Sequence, residues 1–234
     1  MKILDSNEYI SEKLTIHPVT KDRLSKMKEE PFVDEEAKRF IEDNNLKWNP
    51  KKMCYDCEGK VSVSEDIITD GKLKIRFGKV GGDFSCSGHN LTSLKGAPNE
   101  VVGSFHCSDN KLTTLEGAPT VVGRSFDCSN NNLTTLEGAP KEIVWYFDCS
   151  GNNLTTLEGA PNKVGRHFYC DNNRLTTLEG APNEVGGHFG CRRNNLTSLE
   201  GAPKEVSGDF YCNSNPNLVL PKRKPSWLKG KIYN

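Results

Sequence analysis

The chain has 234 residues, enough for one or two domains, and its 31 Lys and Arg balance its 31 Asp and Glu. This balance argues against a generally basic nucleic-acid binder, and a mean hydropathy of −0.62 without a long apolar run excludes a membrane span. The N-terminal segment carries Asp5, Glu8 and Glu12 and has no apolar core. We therefore expect no secretory signal and a cytoplasmic location, in a bacterium or an infected host cell.

The first part of the chain, residues 1–58, is predicted to form a helical N-terminal cap region. Asp34 is a typical helix N-cap, and the helix that it begins is expected to reach Leu46. Upstream, residues 6–14 and 20–29 are predicted to form two shorter helices.

Two cysteines follow the helical region as an isolated Cys-x-x-Cys pair, Cys54 and Cys57. A structural zinc site needs four ligands, and neither a second pair nor a nearby histidine is visible. A redox pair would need a thioredoxin-like strand and helix around it. Packing in the core is the favoured interpretation, with metal binding and redox chemistry as the alternatives.

A strict repeat dominates the rest of the chain. Phe-x-Cys recurs every 21 residues in seven copies, from Phe84/Cys86 to Phe210/Cys212. A period of this size indicates a solenoid, in which each unit buries its apolar face against its neighbours. Val61-Ser-Val63-Ser64 imitates the motif upstream, so residues 59–79 are predicted to be a degenerate capping repeat.

Each part of the repeat has a physical role. Phe and Cys alternate, so both point to the inner face of a short strand, where the cysteines act as small buried hydrophobes. An asparagine follows each motif and is expected to bond backbone groups of the adjacent turn, forming an internal ladder. Leu-x-x-Leu returns to the core, and Gly-Ala-Pro prevents a helix on the far side.

The Phe-x-Cys-Ser-x-Asn-x-Leu-Thr-x-Leu-Glu-Gly-Ala-Pro unit resembles the leucine-rich repeat, with Phe and Cys in two of the Leu positions. It is most similar to the short bacterial type, and similar arrays are encoded by tailed bacteriophages. The resemblance covers about residues 80–220 and implies a mainly β repeat solenoid with a curved parallel sheet. With the capping repeat, the solenoid is predicted to span residues 59–220. The resemblance also implies a non-enzymatic scaffold that binds a protein, as a phage-encoded factor directed at a host protein would do.

The C-terminal residues 221–234 form a basic tail around Trp227. Its basic residues are Lys222, Arg223, Lys224, Lys229 and Lys231. A basic segment with an aromatic anchor could contact an anionic surface such as a nucleic acid. The alternative is a solvated end whose Trp227 covers the last layer of the core, and nucleic-acid binding is not the favoured interpretation.

The outward strand positions differ from repeat to repeat, so recognition is expected there. Early repeats carry small polar residues, whereas later repeats concentrate aromatic and charged side chains, which are typical of binding surfaces. No catalytic, metal or cofactor residue is expected. The predicted partner-binding residues are Tyr146, Asp148, His167, Tyr169, Asp171, His188, Arg192 and Tyr211.

Asp127 and Asp148 should lie side by side on neighbouring strands, with His106 beside them. Paired carboxylates can share a proton or hold a cation, which leaves a hydrolase or nucleotide-handling enzyme as an alternative function. A flat parallel sheet has no pocket that excludes water, so this alternative is the less favoured one.

Overall fold

The computed structural model describes residues 30–234, and the helices expected over 6–14 and 20–29 lie outside this range. The described chain is a mainly β parallel solenoid of about nine turns, with a helix near its N-terminal end. The 21-residue period and the parallel pairing of successive repeats are confirmed. No helix in the described residues has the length and apolar character of a membrane span.

Helix α1 (Glu35–Asp43) begins as expected, because the Asp34 carboxylate accepts the Ala37 amide hydrogen at 2.8 Å. Its buried Phe40 packs edge-on against Phe77, with ring centroids 6.4 Å apart. The helix stops at Asp43 and does not reach Leu46, because the backbone turns through Asn45, whose φ is 50°.

An antiparallel hairpin that the sequence analysis did not anticipate follows the helix. It comprises β1 (Lys47–Asn49) and β2 (Cys54–Cys57). The chain then enters the solenoid through β3 (Val61–Ser62), a single 3-10 turn (Glu65–Ile67), β4 (Ile68–Thr69), β5 (Lys72–Leu73) and β6 (Phe77–Val80). Val61 lies opposite Phe84, so it takes the position that the phenylalanine has in later turns.

The main sheet has nine parallel strands, one from each turn. After β3 they are β7 (Phe84–Ser85), β9 (Phe105–His106), β11 (Phe126–Asp127), β13 (Phe147–Asp148), β15 (Phe168–Tyr169), β17 (Phe189–Gly190), β19 (Phe210–Tyr211) and β20 (Ile232–Tyr233). Each phenylalanine pairs with the next phenylalanine in register, so every outward column of the repeat runs straight across this sheet.

A second line of short strands lies just before the main sheet in each turn, and it is divided into two sheets. The first continues β1, β2 and β6 with β8 (Glu100–Val101) and β10 (Val121–Val122). The second comprises β12 (Glu142–Ile143), β14 (Lys163–Val164), β16 (Glu184–Val185) and β18 (Glu205–Val206).

The interior repeats the same contacts in every turn. The phenylalanines from Phe84 to Phe210 are fully buried, and adjacent rings stack with centroids 5.0 to 5.7 Å apart. The cysteines are free thiols; Cys149 Sγ donates to the Tyr169 carbonyl at 3.3 Å. Burial raises the pKa of the Cys128 and Cys149 thiols well above the usual range, so they stay protonated.

The asparagine column confirms the predicted internal ladder. Asn152 Nδ2 donates to the carbonyls of Cys128, Cys149 and Ser150 at 3.0 to 3.3 Å, and its Oδ1 accepts the Leu133 amide hydrogen at 3.0 Å. One side chain therefore satisfies backbone groups of its own turn and of the preceding turn. The same arrangement recurs at Asn131 and Asn173.

The C-terminal segment completes the solenoid. Leu228 is buried and forms a parallel β-bridge with Val206. Strand β20 extends the main sheet beyond β19. Trp227 packs edge-on against Phe210, with ring centroids 5.4 Å apart, so it covers the last phenylalanine of the column.

Candidate functional site

The eight residues predicted from the sequence lie on one face of the main sheet, which we call the late-turn face. They belong to four turns, whose strands β13, β15, β17 and β19 are adjacent in the sheet. All eight residues are half-buried. The members of the late-turn face are Tyr146, Asp148, His167, Tyr169, Asp171, His188, Arg192 and Tyr211.

Aromatic rings stack across the late-turn face. The His167 and His188 rings are 4.9 Å apart and nearly parallel at 10°, and Tyr169 lies 5.9 Å from His167. Tyr211 meets His188 edge-on at 5.6 Å and stacks on Tyr233 at 5.0 Å. The rings therefore hold one another in a fixed arrangement.

Backbone hydrogen bonds fix the orientation of the two histidines. The amide hydrogen of His188 is donated to His167 Nδ1 at 3.0 Å, and that of Asp209 to His188 Nδ1 at 2.9 Å. An acceptor Nδ1 places the proton of the neutral ring on Nε2. Burial, with the neighbouring His188 and Arg166, lowers the pKa of His167, so this ring is neutral at pH 7.

Gly190 makes room for the side chains on either side of it. A Cβ atom at this position would lie 2.9 Å from Tyr169 Cδ1 and 3.0 Å from Asp171 Oδ1. Asp171 Oδ1 accepts the Arg192 amide hydrogen at 2.7 Å, and the Arg192 guanidinium lies 4.4 Å from the centre of the Tyr211 ring. Glycine at this position therefore leaves space for the Tyr169 ring and the Asp171 carboxylate, and Asp171 and Tyr211 both contact Arg192.

The aspartates form a row in which each carboxylate has its own environment. Burial raises the pKa of Asp148 and of Asp171. Burial also acts on Asp127, but the neighbouring His106 and the hydroxyl and amide of Ser129 together lower the pKa of that carboxyl. The row is thus a set of partly desolvated carboxylates on an otherwise aromatic surface.

The residues of the alternative enzymatic interpretation are brought together as the sequence predicted. Asp127 lies opposite Asp148 in register, and His106 Nδ1 is 3.9 Å from Asp127 Oδ2. Asp127 Oδ1 accepts the Ser129 hydroxyl at 2.7 Å and its amide at 3.0 Å. Asp148 Oδ1 accepts the Ser150 amide at 2.9 Å. These carboxylates are therefore engaged by the backbone of their own turns.

Two residues that the sequence analysis missed adjoin the late-turn face. Arg193 has a φ of 52°, in the column where other turns place Gly88, Asn130 or Gly151. Tyr233 belongs to β20 and, with Arg193 and Tyr211, lines an open depression at the end of the face. An arginine in a column of glycine and small polar residues was a signal visible in the sequence. β20 gave no such signal, because it does not follow the 21-residue period.

Two of the basic residues of the tail, Lys224 and Lys229, make contacts within the solenoid. Lys229 forms an ion pair with Glu205, and Lys224 Nζ donates to the carbonyls of Lys229 and Gly230 at 3.2 and 3.3 Å. These contacts belong to the closing turn of the solenoid.

Cys54 and Cys57 are both buried in β2, and Cys57 Sγ lies 3.5 Å from the Asn44 carbonyl. Residues 30–234 contain no group of three or more His, Cys, Asp or Glu side chains placed to hold a metal ion. The contact of Cys57 with Asn44 places β2 against the end of α1.

Comparison with family models, with curated proteins and with solved structures finds no match to this chain. Its class is therefore defined by the structure: it is a parallel β-solenoid repeat protein with a 21-residue period.

Proposed function

We propose that this protein is a non-enzymatic scaffold that binds a protein partner through the late-turn face. The observation that carries the proposal is the stack of half-buried rings formed by His167, Tyr169, His188 and Tyr211. Rings already held by their neighbours lose little conformational entropy when a partner docks on them. Tyr and Arg are also among the residues that contribute most to binding at protein interfaces.

The early turns support the proposal by contrast. Apart from Asp83 and His106, their outward columns carry serines, namely Ser85, Ser87, Ser104 and Ser108. The Ser108 hydroxyl donates to that of Ser87 at 3.1 Å. Such small side chains offer little area for an anchor contact. Recognition is accordingly assigned to the later turns.

The proposal extends to the type of repeat and to its origin. The buried Leu-x-x-Leu pairs and the asparagine ladder support a repeat of the leucine-rich kind, in which Phe and Cys replace two leucines. The likeness of the unit to arrays encoded by tailed bacteriophages supports a phage-encoded factor whose partner is a host protein.

The test is capture of a partner from a bacterial lysate on the immobilised full chain. One variant combines Tyr146→Ser with Tyr169→Ser, which introduces the residue that earlier turns place in these columns, at Ser125 and Ser85. The control, Val121→Ser, removes an exposed apolar side chain from β10, outside the late-turn face.

We expect a stoichiometric protein on the parent and on the control, and its loss on the double serine variant with an unchanged unfolding temperature. Equal capture by all three proteins would contradict the proposal.

A further inference from the structure

One column of the repeat changes character in the middle of the solenoid. This column, which we call the rim column, lies two residues before the inward phenylalanine or its equivalent. Glycine occupies it in the outer turns, and large side chains occupy it in the three central turns. In chain order its residues are Gly59, Gly82, Gly103, Arg124, Trp145, Arg166, Gly187, Gly208 and Gly230.

From Gly82 onward, the outer turns need glycine in the rim column because the backbones of successive turns approach closely. A Cβ atom at Gly82 would lie 2.7 Å from the Lys60 nitrogen, and one at Gly208 would lie 2.6 Å from a backbone carbon of the preceding turn. In the central turns, the second line of strands is divided between β10 and β12, next to Trp145. Positions at which a sequence departs from its own repeat pattern are expected to be functional sites.

The three large residues of the rim column form a stack. The guanidinium carbons of Arg124 and Arg166 lie 5.5 and 5.4 Å from the centre of the Trp145 ring, within cation–π distance. Trp145 is 43% exposed, and both arginines are exposed. The ion pairs formed among residues 30–234 use neither guanidinium, so their planar N–H groups face solvent.

We propose that Arg124, Trp145 and Arg166 bind a carboxylate-rich segment of the partner protein. The arginine fork matches a carboxylate with two parallel hydrogen bonds, and the indole ring between the two forks adds apolar area. The inference rests on the proposed function, because Trp145 and Arg166 directly precede Tyr146 and His167 of the late-turn face. One partner can therefore contact both surfaces.

The aspartate row favours a protein segment over a nucleic acid. Asp148 follows Trp145 by three residues, which is at most about 11 Å along the chain. A phosphate backbone carries negative charge along its whole length and would be repelled by Asp127, Asp148 and Asp171. A polypeptide can place carboxylates at the rim column and neutral or basic residues over the aspartates.

The experiment uses the full chain labelled with 5-fluorotryptophan and observes its three tryptophans by fluorine NMR. The Trp145 resonance is assigned from its loss in Trp145→Gly, and Trp48 and Trp227 serve as internal references. The probes are synthetic Ser-spaced peptides of about twelve residues that carry only Glu, only Lys, or a Glu block followed by a Lys block, and an oligothymidine of similar length.

We expect the Glu–Lys block peptide to shift the Trp145 resonance saturably and to bind most tightly of the four probes. The combined Arg124→Gly and Arg166→Gly variant, which restores the residue of the outer turns, should weaken this binding at least tenfold. The control Lys141→Asn removes an exposed positive charge and introduces the residue found at Asn162 in the next turn. It should leave the affinity unchanged.

The inference is overturned if no peptide shifts Trp145, if oligothymidine binds more tightly than the peptides, or if the double glycine variant binds like the parent. Its failure is distinguishable from that of the proposed function. If the variant that combines Tyr146→Ser with Tyr169→Ser no longer captures the partner, but no peptide shifts the Trp145 resonance, only the inference is rejected. If a peptide shifts the Trp145 resonance, but the serine variant still captures the partner, only the proposed function is rejected.

Discussion

The early and late turns of the solenoid share one interior and differ on one face. Phe105 and Phe168 are both fully buried, and each stacks on the phenylalanines of the neighbouring turns. Outside, the early turn presents His106 between two serines, whereas the late turn presents Tyr169 between His167 and Asp171. The inward columns are therefore equivalent in the two regions, and the outward columns, which we propose as the recognition surface, are where the regions differ.

The largest expected effect tests whether the interior is equivalent in the two regions. Phe105→Ala and Phe168→Ala should each lower the free energy of unfolding by about 3–5 kcal/mol, because each leaves a cavity in a column of stacked rings. Chemical denaturation of the two variants measures this loss. A loss below about 1 kcal/mol for either variant would show that the interior differs between early and late turns.

A smaller loss is expected from the asparagine ladder. Asn110→Ala and Asn173→Ala should each lower the free energy of unfolding by about 1–3 kcal/mol, because buried backbone groups lose their partners. The control is Asn153→Ala, since the Asn153 side chain makes no hydrogen bond within residues 30–234 and should tolerate the change. Similar denaturation midpoints for all three variants would contradict the ladder.

A gain in stability is expected from Arg193→Asn. The left-handed conformation at φ 52° is costly for arginine and suits asparagine, as at Asn172 in the preceding turn. The free energy of unfolding should rise by about 0.5–1 kcal/mol. Asp109→Asn, in the same column of an early turn, should change stability little, because both residues tolerate this conformation. A loss of stability in Arg193→Asn would indicate that the arginine side chain supports the fold.

The smallest expected effects concern two neighbouring carboxylates, whose contributions to the free energy of unfolding should depend on pH in opposite directions. Burial raises the pKa of Asp148, so its ionised form is disfavoured in the folded chain and its contribution to stability falls as the pH rises through that pKa. Asp148→Asn should therefore stabilise the fold at pH 7 and lose this gain near pH 3.

The pKa of Asp127 is lowered in the folded chain, so its carboxylate stabilises the fold at a pH above 3.8, the pKa in the unfolded chain. This stabilisation is lost as the pH falls through the lower pKa of the folded chain. Asp127→Asn should accordingly destabilise the fold at pH 7, with a smaller difference in acid. Thermal unfolding at the two pH values measures both variants, and the same sign for both at pH 7 would contradict the assignment.

The sequence was sufficient to predict the inward columns because the 21-residue period fixes which side chains share a face. It also placed the eight residues of the late-turn face on adjacent strands, since parallel pairing in register carries each column straight across the sheet. The hairpin of β1 and β2 was missed because it lies outside the period. β20 was missed for a related reason, since Ile232 follows Phe210 by 22 residues.

The stacking of His167 on His188 and the left-handed backbone at Arg193 depend on contacts that the sequence alone does not specify. His167 could have projected into solvent, but its Nδ1 accepts the His188 amide hydrogen and fixes the ring over the sheet. Composition indicated an aromatic surface, and only the contacts show that its rings are held in place.

The assignment of recognition to the late turns is tested by the dissociation constant of the captured partner, measured by titration calorimetry with purified proteins. We expect Tyr169→Ala and Tyr146→Ala each to weaken binding more than tenfold, as truncation of an anchoring tyrosine does, while Ser85→Ala in an early turn stays within twofold of the parent. Parental affinity in both tyrosine variants, together with loss of binding on substitution within residues 1–50, would contradict the assignment and place recognition in the N-terminal region.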